Sequence, residues 1–401
     1  MPSRSASLSQ WPSRQSAAQK SFATLPSPAL AYGLDILSHS GEVDFDTILS
    51  FAQKDVLFSV NETFDQTISV LDFPSAQKKF PFLEKKIGTL LSTEDKFESF
   101  HLANVKNILV IVVPENVHAS SPLSIVPGAG VFEHVLIYVQ KNASISLLHH
   151  EKDIQPHPCE YRSTAVEIFA EENARVTYTS TQTYSSVRNR FAFKRAHVEK
   201  NASVDWFWSE FGAVFSKLDV SSFLSGENAS SKNIGIFLGS ATQVSDIHAA
   251  VHHLSPRTHS ELLARGVLDD SSKNVYRGLV KMTKDAPGSV GTQRADVLLL
   301  SPASEADPVP MLEIEGSDIR CTHAATVSRM DASKLFYLAS RGIDESTARS
   351  LYINGFLSRL LERFPASSII NESRSRISRK LGISPSVEEE SFLHSPEHVF
   401  V

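Results

Sequence analysis

The 401-residue chain contains little cysteine and lacks a long apolar run. Its two cysteines, Cys159 and Cys321, are too few for a disulfide framework and form no Cys-x-x-Cys pair, which favours a reducing compartment. The longest aliphatic run, residues 108–113, stops at Pro114, far short of a membrane span. Residues 1–34 contain no uninterrupted apolar segment that could act as a secretory signal. These absences predict a cytoplasmic protein.

Acidic residues are missing from the first 34 positions, whereas Arg4, Arg14, Lys20 and many serines and alanines are present. Such a composition is also typical of organelle transit peptides. We interpret the segment as a disordered polar N-terminus, with plastid import as the alternative.

A strong basic patch is absent as well. The formal net charge is −6, and no basic run interleaved with aromatic residues is present, so the usual electrostatic footprint of nucleic-acid binding is missing. Gly-x-Ser-x-Gly and phosphate-cradling glycine loops are also absent, which gives no support to a hydrolase or a nucleotide-binding protein. With 41% hydrophobic residues, the chain can bury a large core in two or three domains.

What the sequence does contain is a repeated turn. A charged residue followed by Asn and Ala recurs four times, at intervals of 31, 28 and 27 residues. The four turns are residues 141–144, 172–175, 200–203 and 227–230. Asn tolerates the left-handed backbone conformation, and alternating strand-like segments follow the first three turns. The pattern predicts a solenoid of stacked β-coils with Asn at each corner and parallel strands after it; antiparallel hairpins in a sandwich are the alternative.

Short alternating or apolar segments continue to residue 300, and helical signals begin near Met330. Asp331 is predicted to cap a helix over 332–341 that Gly342 ends, and Asp344 to cap a second over 345–364. Residues 44–58 and 92–104 are also predicted to be helical. The resulting division is a disordered N-terminus (1–34), a mostly helical N-terminal domain (35–100), a mainly β core (101–329) and a C-terminal helical domain and tail (330–401).

Two groups of residues are candidates for chemistry. The first is a set of histidines that we interpret as scattered surface or coil-lining residues rather than a metal site, because the zinc-like spacing lies in a strand-like context. These are His149, His150, His248, His252, His253 and His259. The second is Cys321 and His323, which share one face if they lie in a strand. Thiolate and imidazole suit iron or zinc, but two ligands do not complete a site.

The segments around this pair resemble the core of the SufB/SufD family of iron–sulfur cluster assembly proteins. The resemblance lies in residues 312–326, with their Cys-x-His, in residues 335–343 (Leu-Phe-Tyr-Leu-Ala-Ser-Arg-Gly-Ile), and in Gly278 and Gln293 with their neighbours. It implies a right-handed parallel β-helix. Of the two paralogues SufD is the more similar, since SufB-like chains are longer and often cysteine-rich near the N-terminus.

The resemblance further implies a non-enzymatic scaffold. Such a chain pairs through its β-helix with a SufB-like paralogue, or with itself in isolation, and its C-terminal helices bind a SufC-like ABC ATPase. A transient iron–sulfur cluster forms at the paralogue interface, with none tightly bound to the isolated chain. His323 would be a ligand with Cys321 beside it, although a histidine that only holds the interface is the alternative.

The predicted ATPase-docking residues are Phe336, Tyr337 and Arg341; alternatively, Phe336 and Tyr337 pack their helix on the end of the coil. A different class of function remains open, a β-helix enzyme acting on a polysaccharide. Such an enzyme would need an acidic cluster within one chain, and the sequence shows none.

Overall fold

The computed structural model describes residues 67–106, 108–128, 130–153, 160–365 and 367–380, together with residues 15–16, 18–19, 59–60 and 65. The strands are β1 (Ser59–Val60), β2 (Ser69–Asp72), β3 (Ile108–Val113), β4 (Leu123–Val126), β5 (Phe132–Val139), β6 (Ser144–Glu151), β7 (Tyr161–Ala170), β8 (Arg175–Gln182), β9 (Asn189–Val198), β10 (Ser203–Glu210), β11 (Phe215–Leu224), β12 (Ser230–Gly239), β13 (Val244–His253), β14 (His259–Leu268), β15 (Lys273–Met282), β16 (Val290–Leu299), β17 (Glu305–Ile314) and β18 (Arg320–Arg329). The α-helices are α1 (Phe73–Lys79), α2 (Lys96–Asn104), α3 (Ala332–Ser340), α4 (Glu345–Leu361) and α5 (Ser367–Lys380), with a 3₁₀ turn at Pro81–Lys85.

From β3 onward, successive strands alternate between two sheets. Sheet A has the order β1-β4-β6-β8-β10-β12-β14-β16-β18, and sheet B has the order β17-β15-β13-β11-β9-β7-β5-β3-β2. All pairs are parallel except β1 with β4 and β2 with β3, which are antiparallel. Each coil therefore contributes one strand to each sheet, and the predicted β-solenoid is confirmed over the antiparallel sandwich.

The repeated asparagines form one corner of the solenoid. Asn116, Asn142, Asn173, Asn201 and Asn228 all have φ between 55° and 61°, in the left-handed region. From Asn142 onward, each side-chain amide donates to the Oδ1 atom of the asparagine one coil earlier, at 2.8–3.1 Å. The corner asparagines thus stack in a ladder, as the spacing predicted, and the ladder reaches one coil further towards the N-terminus than the four turns.

Inward side chains from both sheets fill the coil. The alanine after each corner asparagine of the repeat is buried, as Ala174 and Ala229 show, because the tight turn leaves room for little more than a methyl group. The interior is aliphatic along most of its length and includes Trp206 and Trp208, whose indole N–H groups donate to Ser222 Oγ and Asn233 Oδ1. One continuous apolar core therefore links the coils.

The outer faces of both sheets are covered in part. Helix α2, capped by Asp95, packs with aromatic residues on the outside of sheet B. Glu167 accepts hydrogen bonds from the backbone N–H groups of Gly88 and Leu90, at 2.5 and 2.8 Å, and so fastens the N-terminal segment to the coil. Helices α4 and α5 cover sheet A through a second apolar cluster that includes Leu357 and Phe364.

The predicted C-terminal helices are confirmed, with small differences at their ends. Asp331 and Asp344 cap α3 and α4 by accepting from Ser333 N and Thr347 N, and Gly342 follows α3 with φ of 82°. Helix α2 begins four residues later than the predicted 92–104, because Asp95 is its N-cap. The predicted helix over 44–58 lies outside the described residues, and the domain boundaries stay predictions. Among the helices that the structure describes, none is long and apolar enough to cross a bilayer.

Candidate functional site at the open end of the solenoid

Cys321 and His323 lie on β18, the last strand of sheet A. Cys321 packs against the main core, so its side chain faces the coil interior, and His323 two residues later faces the same way. In the register of sheet A, His323 continues a row formed by Leu262 and Gln293, both of which are buried inward residues. His323 itself is exposed because β18 has no following strand in the described structure. The structure therefore brings the two predicted residues together at the mouth of the coil.

The two edge strands at this end differ in their free hydrogen-bonding groups. In β18 the even-numbered residues donate to sheet A, as Arg320 N does to Ser289 O, so the N–H groups of Cys321 and His323 point to the open edge. In β17 the odd-numbered residues donate to the rest of sheet B, so the even-numbered residues face the open edge. Two of these are Pro308 and Pro310, which have no N–H. Strand β18 thus offers an unbroken donor row, whereas β17 does not.

The electrostatics around the pair are simple. Burial raises the pKa of the Cys321 thiol above its usual value, and the backbone N–H of Thr322 offsets only part of that effect. The isolated chain therefore holds Cys321 as a thiol at neutral pH. No group of three or more His, Cys, Asp or Glu side chains is placed to hold a metal ion in the described ranges. A metal at His323 would have to draw further ligands from outside that set.

The histidines upstream differ in their surroundings. His149 is buried, donates to or accepts from Tyr178 Oη at 2.5 Å, and has its pKa lowered to about 3 because burial disfavours the charged ring. His253 bonds to Thr258 and Ser260 inside the coil, while His252 stacks on Phe223. His248 lies 3.2 Å from Asp219 Oδ1, and His259 is exposed. They are spread over the coil, and the interpretation that they form no metal site stays a prediction.

A buried charge cluster inside the coil was not foreseen. Glu151 Oε2 accepts from Arg190 at 2.6 Å and Glu151 Oε1 from Lys194 at 2.8 Å, and Arg190 also reaches Glu210 at 3.1 Å. Burial alone would raise the pKa of Glu151, but Arg190 and Lys194 together hold it well below its ordinary value. All four side chains are inaccessible, so these carboxylates cannot reach a polymer and give no support to a polysaccharide-cleaving enzyme.

A separate exposed surface lies on α3, where none of the side chains is buried. Phe336 and Tyr337 are 76% and 57% exposed, and the Arg341 guanidinium lies 5.3 Å from the centroid of the Tyr337 ring. Neither aromatic side chain packs the helix onto the coil, so that alternative is wrong for these residues. Aromatic and arginine side chains on one exposed helix are typical interface anchors.

The fold and site define a parallel β-solenoid protein with a Cys-x-His pair on an edge strand, β18, that pairs with β16 on one side and has no neighbouring strand on the other in the described structure. Residues 123–356 match the family model of the SufBD core domain of the SUF iron–sulfur cluster assembly system. The chain therefore belongs to the SufBD family, and this membership implies a role in iron–sulfur cluster assembly. The matched region contains Cys321, His323 and all of α3.

Curated relatives agree with the family. An iron–sulfur cluster assembly SufBD family protein of Staphylococcus epidermidis is 27% identical over 298 residues, which cover 73% of this chain and 64% of that protein. A protein of the same description from Mycobacterium leprae is 29% identical over 269 residues, 66% of this chain and 31% of that protein. The chain thus spans less than two thirds of the first and about a third of the second.

Proposed function

We propose that this chain is a non-enzymatic, SufD-like scaffold subunit of a SUF-type complex in the cytoplasm. It pairs with a SufB-like paralogue through the open end of its solenoid, and the two chains hold a transient iron–sulfur cluster between them. The observation that carries the proposal is the position of His323, which is exposed on an edge strand and adjoins a free backbone donor row. In isolation the same end can pair with a second copy.

The edge geometry supports this mode of association. An uncovered ten-residue edge strand is a template for another chain, and β18 offers the N–H groups of Cys321, His323 and Ala325 to it. A partner strand paired there would lie about 4.8 Å away, within reach of a bridging metal cluster. Val327, which is 42% exposed and lies on the same inward face of β18 as His323, would be buried by the contact. The partner's side chains would then supply the ligands that Cys321 and His323 lack.

His323 supplies the ligand chemistry in this proposal. A neutral imidazole binds iron through a ring nitrogen, and the adjacent Cys321 offers sulfur once its proton is lost. The cluster is the cargo of the complex, so the isolated chain is expected to be colourless. Cys321 holds a supporting or sulfur-handling position, because burial keeps it protonated until a partner or metal arrives.

A substitution of His323 tests the ligand role. The full chain, a SufB-like paralogue and a SufC-like ATPase are co-expressed, and iron and sulfide per complex are measured after reconstitution. His323→Ala should leave the complex intact on gel filtration while cluster formation falls at least tenfold. Thr322→Ala, at the neighbouring position that faces away from the coil interior, is the control. Cluster formation at the wild-type rate in an intact His323→Ala complex would sink the ligand role.

The pairing mode has its own test. Ala325→Pro removes one open-edge N–H and no bond to β16, because odd-numbered residues of β18 donate away from sheet A. Pro308 and Pro310 already occupy such positions in β17. The variant should remain folded by circular dichroism but bind the paralogue at least tenfold more weakly, whereas Ala325→Ser should bind normally. Unchanged affinity of the proline variant would show that β18 does not pair through its backbone.

The exposed side chains of α3 are the proposed docking site for the ATPase. Truncation before α3 is a poor test, because α4 buries Leu357 and Leu360 against sheet A and the truncated coil would expose that face. The double variant Phe336→Ala/Tyr337→Ala changes only exposed side chains and should weaken ATPase binding at least tenfold by titration calorimetry. Phe82→Ala, at an exposed aromatic residue near the N-terminus, should not. Equal affinities would place the ATPase elsewhere.

A further inference from the structure

The row that ends at His323 contains a buried amide with unmet hydrogen-bonding capacity. Gln293 is 3% exposed, yet neither its Oε1 nor its Nε2 atom has a hydrogen-bond partner among the described residues. Burying an unpaired amide is costly, and native proteins seldom leave both ends of one unsatisfied. The carboxamide of Gln293 therefore requires a hydrogen-bond partner.

The side chains around Gln293 limit which residue can be that hydrogen-bond partner. Gln293 projects across the coil towards sheet B, where a Cβ atom added to Gly278 would lie 2.0 Å from Gln293 Nε2. The absence of a side chain at Gly278 is therefore what makes room for the amide. On the closed side of its row Gln293 neighbours Leu262, which has no polar side-chain atom. On the open side it neighbours His323, its Cα partner on β18.

Adjacent strands are about 4.8 Å apart, so side chains in one row of a parallel sheet can hydrogen-bond to each other. An amide can donate to one ring nitrogen of a neutral imidazole or accept from the other, and either contact fixes the tautomer and the ring orientation. The buried hydroxyl of Tyr276, beside Gly278, also lacks a partner in the described structure and offers a second polar atom on the sheet B side. His323 and Gln293 therefore have the residue types of a metal ligand and of a neighbour that orients it.

We propose that Gln293 is a positioning residue for His323: its carboxamide hydrogen-bonds to the imidazole and holds one tautomer, so that a defined ring nitrogen faces the open end. The value of this contact for cluster binding rests on the proposed function, because it orients the nitrogen that would meet iron. The contact itself belongs to the isolated chain and does not require a cluster.

Nuclear magnetic resonance of ring-¹⁵N-labelled histidine in the full-length chain, recorded at about pH 8, tests the proposal. The His323 signals are assigned by their loss in His323→Ala. The wild type should hold one dominant tautomer, and Gln293→Met, which keeps the volume and removes the amide, should shift the tautomer ratio roughly fivefold, the factor that one net hydrogen bond supplies. Thr292→Val, on the same strand but facing the opposite way, should leave the ratio unchanged.

Unchanged signals of His149 and His253, which lie elsewhere in the coil, report that each variant is folded. If Gln293→Met does not fold, Gln293→Asn replaces it, since the shorter side chain withdraws the amide from the ring. A wild-type tautomer ratio in a folded variant at residue 293 would overturn the proposal and leave the Tyr276 hydroxyl or a water molecule as the partner of the amide. Failure of His323 as a cluster ligand, measured by iron and sulfide content, would leave the tautomer result standing, so the two proposals fail separately.

Discussion

The asparagine ladder allows the backbone and side-chain contributions of one corner to be separated. Asn201 has φ of 55°, donates to Asn173 Oδ1 at 3.1 Å and accepts from Asn228 Nδ2 at 3.0 Å. Asn201→Gly removes both hydrogen bonds and keeps the left-handed backbone accessible, whereas Asn201→Ala removes the bonds and also strains the backbone. The difference between their free energies of unfolding therefore reports the cost of placing a residue with a Cβ atom in the left-handed conformation.

The expected magnitudes follow from the exposure of the ladder. Two exposed hydrogen bonds contribute about 0.5 kcal/mol each, at the low end of the usual range, and glycine adds about 0.5 kcal/mol of chain entropy, so Asn201→Gly should cost about 1.5 kcal/mol. Asn201→Ala lacks the entropy cost of glycine but adds about 1–2 kcal/mol of strain in the left-handed region, so with the two lost hydrogen bonds it should cost about 2.5 kcal/mol. Urea unfolding followed by circular dichroism measures both values, with the exposed neighbour Lys200→Ala as control.

A reciprocal substitution tests the same reasoning in the stabilising direction. Arg257 continues the corner one coil after Asn228, with φ of 55° and an Nε atom 3.3 Å from Asn228 Oδ1. Arg257→Asn should extend the ladder and raise the free energy of unfolding by about 0.5–1 kcal/mol, because Asn tolerates this conformation better. Equal costs for Asn201→Gly and Asn201→Ala, together with no gain from Arg257→Asn, would refute the role assigned to the left-handed corner.

Three other predictions concern the interior. Burial raises the pKa of Glu133 to about 8 against an ordinary 4.5, so between these values the folded chain binds more protons than the unfolded chain. The free energy of unfolding should therefore fall as the pH rises from 5 to 8. The urea midpoint of Glu133→Gln should depend less on pH than that of the wild type, and an equal dependence contradicts this. Glu151→Gln leaves Arg190 without its main partner and should cost about 3–5 kcal/mol in urea unfolding at pH 7, so a loss below 1 kcal/mol would count against the buried pair. Gly235→Ala would place a Cβ 2.0 Å from the Trp208 ring and should lower stability by about 1–3 kcal/mol, and a neutral effect would show that the ring moves freely.

The sequence predicted the corner only where Asn marks it. After Asn228 the same corner is occupied by Arg257, Gly288 and Asp318, all with positive φ, so the conformation persists while the residue type changes. Backbone hydrogen bonds from each coil to the next, such as Arg257 N to Pro287 O, hold this conformation, and tertiary contact of this kind leaves no local sequence signal. The period near 30 residues was the remaining clue.

The charged interior could not be predicted for a related reason. Arg190 and Lys194 lie on β9, where polar residues would ordinarily indicate a solvent face, yet both alternate with Ala192 on the inward face, while Phe191 and Phe193 on the outer face are covered by α2 and its neighbours. A strand buried on both faces loses the alternation that sequence analysis uses. The pairing of these cations with Glu151, some forty positions earlier, appears only when the coils are stacked.

The candidate site was predictable in part. Alternation along a strand placed Cys321 and His323 on one face, and the structure agrees. The exposure of His323 beside the partly buried Cys321 depends on where the solenoid stops, and that followed only from the strand order. The same limit applies to Phe336 and Tyr337, whose apolar character fitted either burial or docking until the helix was seen to leave them exposed.

The two ends of the solenoid are built differently, and this contrast bears on how the chain works. At the N-terminal end, β1 and β2 turn back and pair antiparallel with β4 and β3, so the parallel ladder is closed by the chain itself. At the other end, β17 lacks two donors because of its prolines, but β18 keeps all of its own and carries His323. Proteins usually protect long edge strands against pairing. A chain that closes one end, places prolines in one strand of the other and leaves open the edge of the strand that bears Cys321 and His323 has the edge that the proposed pairing with a paralogue requires.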